Sequence, residues 1–152
     1  MANGLTIGGE PVKTTAHRLS FVRAIAALSG VYDLAVGLFL LLAADRLATL
    51  FGVPPAQPPI FSDLNGLFLV CVGVGYYWPY RDPVGARWYL WVMGPLLKGA
   101  GAAAFLFDYF VRHSPPSFLL FAGADGTLAL LTWLALLSAR VNSSTPQLPT
   151  PK

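Results

Sequence analysis

Long apolar runs dominate the chain, and short polar segments rich in proline, glycine and charge separate them. A helix needs about 20 apolar residues to cross the hydrocarbon core of a bilayer, and the runs reach that length. The pattern therefore predicts an all-α, integral membrane four-helix protein. The predicted spans cover about residues 22–43, 62–80, 84–111 and 116–139.

Both ends of the chain differ in composition from the apolar part. Residues 1–20 are polar and contain the helix breaker Pro11, so they are expected to form a flexible or surface-lying arm. This arm lacks the apolar stretch of a signal peptide. Residues 141–152 form a polar, proline-rich tail, which is expected to be irregular unless a partner holds it. The predicted transmembrane domain is therefore residues 21–140.

Turn and cap residues predict where the helices begin and end. Gly52 and the prolines after it are expected to stop the first helix. In the last turns before Gly52, Leu47, Leu50 and Phe51 are expected to face lipid. Ser62 is the expected N-cap of the second span. Asp82, which a proline follows, is the expected cap of the third span. Short connections of this kind favour an up-down-up-down bundle.

The composition supports a membrane protein and excludes other classes. Apolar residues make up 55% of the chain and charged residues 11%, against about 25% charged in soluble domains. The net charge is +3 without a basic, aromatic-rich polar segment, so no nucleic-acid surface is expected. The single cysteine, Cys71, excludes an internal disulfide.

The basic residues outside the spans are unevenly distributed, and this predicts the orientation. Cytoplasmic loops carry an excess of Lys and Arg. The side that holds both termini has most of these residues, whereas the opposite side has only Arg46 and Arg112. Both termini are therefore expected in the cytoplasm, with the protein in a bacterial inner membrane. The basic residues on the terminal side are Lys13, Arg18, Arg23, Arg81, Arg87, Arg140 and Lys152.

Three charged residues interrupt the apolar runs: Asp33, Lys98 and Asp125. An unpaired charge at the centre of a membrane helix costs about 2.5–3.5 kcal/mol on insertion scales. Each of the three shares a helix face with glycine or alanine, where helices approach closely. We therefore predict that the three side chains meet inside the bundle as an intramembrane polar site.

Two interpretations of this predicted site remain open. In the first, the charges only lock the helices in register, because buried ion pairs can specify an arrangement without adding stability. Alternatively, they form a site for a proton, an ion or the polar head of a lipophilic ligand. Tyr32, Asn65 and Pro95 are the predicted supporting residues, and Pro95 is expected to kink the third span near Lys98. No catalytic residue and no metal ligand is predicted.

The string "YDLAVGLFLL…LFGVP…FSDLNGLFLVCVGVGYYWPYRDP…K…ADGTLALL" resembles small bacterial four-span membrane proteins of the DoxX-like kind. The resemblance covers about residues 21–139. It implies an association with quinone or thiosulfate oxidation and with oxidative-stress complexes. Those proteins tend to have a glutamate-and-glycine pattern in a central span. This chain has "DLNGLFLVCVGVG" there, without glutamate, so the resemblance transfers no catalytic residue.

These observations leave three functional hypotheses. The first is a non-enzymatic accessory subunit of a larger membrane complex, in contact with lipid and with other membrane subunits or a second copy. The second is a bundle that binds or transports a lipophilic small molecule at Asp33, Lys98 and Asp125, with lipid, quinone or pigment as candidate ligands. The third is a membrane-embedded isomerase or redox enzyme. A cavity of several hundred cubic ångströms that reaches the three charges would favour binding or catalysis.

Overall fold

The computed structural model describes residues 11–140, and their regular structure is entirely helical. The last two residues of this range and the first six are described by their backbone alone. The rest of the predicted N-terminal arm and the whole predicted tail lie outside the described residues. The helices are α1 Pro11–Phe51, α2 Ile60–Gly75, α3 Tyr77–Arg81, α4 Arg87–Trp91, a π-helix Val92–Lys98, α5 Gly99–Arg112, a 3₁₀ turn Pro116–Phe118 and α6 Leu119–Arg140.

Within the described part of the chain, 4 helical stretches are long and apolar enough to cross a membrane. This finding confirms the predicted all-helical class and the predicted number of spans. Many large apolar side chains lie on the outside of the protein; Leu42, for example, is 82% exposed. Such a surface is suited to hydrocarbon rather than to water. The stretches are His17–Phe51, Ile60–Arg81, Arg87–Arg112 and Pro116–Ser138.

Three helix starts differ from the predicted ones. Helix α1 begins at Pro11, so residues 11–20 of the predicted arm are helical. Proline needs no hydrogen-bond partner for its nitrogen, and the first turn of a helix is where it fits. Helix α2 begins at Ile60 after Pro59, and Ser62 is not its N-cap. Asp82 caps a turn instead of a helix: its Oδ1 accepts hydrogen bonds from the backbone N–H groups of residues 84 and 85.

Helix α1 bends before it ends. Ala43 has a non-helical backbone (φ −152°, ψ 38°), so the helix changes direction there. It then continues to Phe51, and Gly52 follows with φ +68°. A left-handed residue after the last turn is a common helix stop, and glycine adopts it without strain. The predicted stop at Gly52 is therefore confirmed.

Glycines set the close contact between α1 and α2. A Cβ at Gly37 would lie 2.8 Å from the carbonyl oxygen of Gly66, and one at Gly66 would lie 2.9 Å from that of Gly37. A Cβ at Gly73 would likewise lie 2.9 Å from the carbonyl oxygen of Gly30. Because the partner numbers fall on α2 as they rise on α1, the two helices run antiparallel. Small residues at these positions let the two backbones approach one another.

Hydrogen bonds join α1 to α6 at both ends. The guanidinium of Arg18 donates to the carbonyl oxygen of Ser138 (2.8 Å), and the hydroxyl of Ser117 donates to that of Phe51 (2.7 Å). The start of α1 therefore lies beside the end of α6, and the end of α1 lies beside its start. Arg87 adds a bond from the start of α4 to the carbonyl of Leu136.

The tightly packed core occupies one end of the protein. Its members come from the first half of α1, the end of α2, α4 and the end of α6. Among them, Tyr76 and Leu90 are each 1% exposed. The opposite end, around the second half of α1 and the start of α6, contains none of these core residues. The core residues are Val22, Ile25, Ala26, Val72, Tyr76, Leu90, Ala135 and Leu136.

Candidate functional site

Asp33, Lys98 and Asp125 come together between α1, the π-helix and α6. The Nζ of Lys98 lies 2.5 Å from Oδ1 of Asp33 and 3.5 Å from Oδ1 of Asp125. The Lys98 side chain is 5% exposed and that of Asp33 2%, whereas that of Asp125 is 17% exposed. The ammonium group thus points into the protein and not towards lipid. We call these three residues the charged triad.

Two further observations describe the surroundings of the triad. The ring of Tyr32 lies under the ammonium of Lys98, with 4.8 Å between Nζ and the ring centroid, which is a cation–π geometry. The Tyr32 hydroxyl lies beside the carboxyl group of Asp125. The second carboxylate oxygen of Asp33, Oδ2, is buried, and no hydrogen-bond donor among residues 11–140 reaches it. Tyr32 is therefore part of the site, as predicted from its position beside Asp33.

The segment that carries Lys98 is a π-helix rather than a kinked α-helix. Val92–Lys98 is wound with one residue more per turn, and Pro95 lies inside it. Proline has no N–H for the normal bond to Trp91, so the α-helical pattern is already broken here. Pro95 itself is half-buried and does not line the site. Its influence on Lys98 is through the backbone, and the interruption of the α-helix expected at Pro95 takes the form of this wider turn.

A cavity of about 420 Å³ extends from the triad towards the end of α1. Asp33, Lys98 and Asp125 line its inner end, and residues of the segment after Gly52 line the other. Between them, Leu47 and Phe51 also line the cavity, so the prediction that they face lipid is wrong. The bend at Ala43 changes the direction of the last turns of α1, and a sequence pattern does not show such a bend.

Aromatic rings form much of the cavity wall. Phe51 stacks on Phe121 with ring centroids 4.8 Å apart, and Phe105 stacks on Phe121 at 5.4 Å. These rings come from α1, α5 and α6; the sequence pattern pointed to Phe51 only as a lipid-facing residue and did not single out Phe105 or Phe121. In an apolar span, a ring that faces a cavity and a ring that faces lipid give the same signal. The complete phenylalanine set of the lining is Phe51, Phe68, Phe105, Phe118 and Phe121.

Asn65 and Ser62 supply the neutral polar groups of the cavity. Both belong to α2 and line the cavity. Asn65, predicted as a supporting residue, is exposed, and within the described residues no hydrogen bond joins it to the triad, so it belongs to the cavity wall alone. The site therefore has a charged inner end, an aromatic wall and a few hydrogen-bonding groups. Such a combination is typical of pockets for small organic molecules.

Buried polar groups also lie on the other side of the triad. Ser29 is one helical turn before Asp33 on α1 and is 0% exposed. Tyr76 packs against Gly30, and its ring meets that of Tyr89 edge to face at 5.3 Å. The hydroxyl of Tyr89 donates to the carbonyl oxygen of Val72 (2.6 Å). Tyr76 therefore lies within the core, at 1% exposure, and not at the outer surface.

The triad offers charge and hydrogen bonds but no metal site. Within the described residues, no group of three His, Cys, Asp or Glu side chains is placed to hold a metal ion. Comparison with protein families, with curated proteins and with solved structures gives no match for this chain. The functional argument therefore depends on the geometry of the triad and its cavity.

Proposed function

We propose that this chain is an integral membrane protein that binds a lipophilic small molecule in the cavity beside the charged triad. The polar end of the ligand lies at Asp33 and Asp125, and its apolar part lies against the phenylalanine rings. The cavity of about 420 Å³ that reaches the triad is the observation that supports this function most strongly. The proposal assigns no catalytic residue.

The cavity supports one of the hypotheses that the sequence left open more than the others. A tightly packed interior favours a purely structural subunit, because the triad would then only fix the register of the helices. A cavity with convergent polar groups favours binding. Ligand binding is therefore the first candidate function, and the role of accessory subunit is the second. Exposed aromatic residues near the second loop favour that second candidate: Tyr77, Trp78, Tyr80 and Trp88 are each about half or more exposed.

The proposed placement in the membrane follows the distribution of charge. The antiparallel contacts of α1 with α2 and with α6 support an up-down-up-down bundle. The excess of Lys and Arg on the side of both termini supports a cytoplasmic location for them, in a bacterial inner membrane. In this orientation the segment after Gly52 faces the periplasm. The cavity then opens on the periplasmic side of the triad.

A steric block tests the proposed binding function. Ala44 lines the cavity, whereas Ala35, on the same helix, is exposed and does not. Ala44→Trp fills the cavity, and Ala35→Trp adds the same side chain on the outer surface. We expect wild type and Ala35→Trp, purified from native membranes, to retain a common apolar molecule in mass spectra, and Ala44→Trp to lose at least nine-tenths of it. Equal retention by all three proteins would contradict the proposal.

The second candidate needs a different measurement. An accessory subunit is expected to leave native membranes, under gentle extraction, in an assembly far heavier than one or two copies of the chain. A mass of one or two chains would contradict that role. The resemblance to DoxX-like proteins would add an association with membrane redox reactions, and it stays a prediction.

A further inference from the structure

The hydrogen-bond donors of Lys98 are already engaged by the protein. An ammonium group has three donors and no acceptor. Asp33 and Asp125 accept from it, and the ring of Tyr32 lies 4.8 Å from Nζ. Lys98 is also the sole cation that lines the cavity among the residues that the structure describes. A ligand head that only accepts hydrogen bonds, such as a carboxylate or a ketone, would have to displace one of these partners.

The acceptors of the triad are not all engaged. Oδ2 of Asp33 is buried, and within residues 11–140 no donor reaches it. A buried acceptor without a partner is unfavourable, and more so when it is charged. Asp125 lines the cavity as well; the Tyr32 hydroxyl lies beside its carboxyl group, and at 17% exposure its side chain is the most accessible of the triad. The hydrogen bonds that the inner end of the cavity lacks are therefore bonds that a ligand must donate.

The charges of the triad favour the same kind of head group. Two carboxylates and one ammonium carry a net charge of −1 when all are ionised. An uncompensated charge is costly in a surrounding of low dielectric constant, where attraction to an opposite charge is also strong. A ligand with one positive charge makes the inner end neutral. The remaining lining is apolar apart from Ser62, Asn65 and Tyr32, so the rest of the ligand is apolar.

From these observations we infer that the ligand is an amphiphile with a protonated amine on an apolar chain. The amine donates to Asp33 and Asp125, and the chain follows α1 towards Phe51. The ten residues from Asp33 to the bend at Ala43 already cover about 15 Å of helix, and the cavity lining continues beyond the bend to Phe51, so the wall is long enough for an extended alkyl chain. This inference rests on the proposed binding function and specifies the chemistry of its ligand.

A series of dodecyl compounds separates the contributions of charge and donor. Radiolabelled dodecylamine is bound to the full chain in lipid nanodiscs, and unlabelled compounds compete with it. We expect dodecyltrimethylammonium, a cation without a donor, and dodecanol, a donor without a charge, to compete at least tenfold more weakly than dodecylamine. Dodecanoate is expected not to compete. Dodecanoate that competes as well as dodecylamine would overturn the inference, and the binding function would stand.

Variants locate the binding within the protein. Asp125→Asn is expected to weaken dodecylamine binding at least tenfold, and its control Asp108→Asn, at the far end of α5 beside Arg112, is expected to leave it unchanged. The competition series on the wild-type chain keeps the inference testable if Asp125→Asn does not fold. Ala44→Trp that binds dodecylamine as well as wild type would show that the cavity is not the site. That result would overturn the inference, whereas the proposed binding function is contradicted only if Ala44→Trp also retains the native apolar molecule.

Discussion

Replacing Lys98 by methionine removes the ammonium and keeps an unbranched side chain of similar length. The two carboxylates of Asp33 and Asp125 then remain inside the bundle without a counter-charge. At an effective dielectric constant of about 20, the attraction lost is about 7 kcal/mol at 2.5 Å and about 5 kcal/mol at 3.5 Å. Burial of the ammonium itself costs several kcal/mol, which offsets part of this.

The net effect is expected to be a large loss of stability. Removing one partner of a buried ion pair destabilises proteins by about 3–5 kcal/mol, and we expect Lys98→Met to lie in that range. A second substitution, Asp33→Asn, removes one of the uncompensated carboxylates. The double variant Asp33→Asn with Lys98→Met is therefore expected to be more stable than Lys98→Met alone by about 1 kcal/mol or more.

Unfolding by sodium dodecyl sulfate in mixed micelles, followed by circular dichroism, measures both differences. The control is Lys98→Arg, which keeps the positive charge and is expected to lose less stability than Lys98→Met. A free energy of unfolding for Lys98→Met within about 0.5 kcal/mol of wild type would refute the reasoning. A double variant less stable than Lys98→Met would do so as well.

Two further predictions concern packing and orientation. Gly66→Leu is expected to destabilise the protein by about 1–3 kcal/mol, because its Cβ would press on α1. The control is Gly123→Leu, which has open space around it and should stay within about 0.5 kcal/mol of wild type. The same unfolding assay measures both. With Cys71 changed to serine, a membrane-impermeant maleimide should label a cysteine at Gln57 in intact cells and one at Val84 only after lysis. Labelling of position 84 in intact cells would reverse the proposed orientation.

The sequence predicts the spans and the meeting of the charges for one physical reason. A charge in hydrocarbon is costly, so Asp33, Lys98 and Asp125 must avoid lipid, and the small residues beside them indicate which helix faces meet. The starts of the helices were less predictable. Proline interrupts a helix when it lies inside one but fits the first turn of a helix, and Pro11 is at the first turn of α1. Ser62 is a good cap in isolation, but the helix already starts two residues earlier.

The cavity could not be predicted from the sequence. Its shape depends on the bend at Ala43, beyond which Leu47 and Phe51 line its wall. An apolar residue such as Leu47 or Phe105 is equally suited to line a cavity and to contact lipid, so the sequence pattern does not show which of the two it contacts. Hydropathy identifies the solvent that a span faces, and it does not identify the neighbours of a single side chain.

The π-helix Val92–Lys98 also realigns the third span. Twelve residues separate Leu90 from Ala102, and a regular α-helix would place their side chains about 120° apart around the axis. Both are buried, at 1% and 7% exposure. The wider turn of the π-helix takes up one extra residue, and this reduces the angle between the two side chains around the axis to about 20°. A natural variant one residue shorter in this segment would thus keep the same inward faces on a regular helix, so this is where the length of the span can change during evolution.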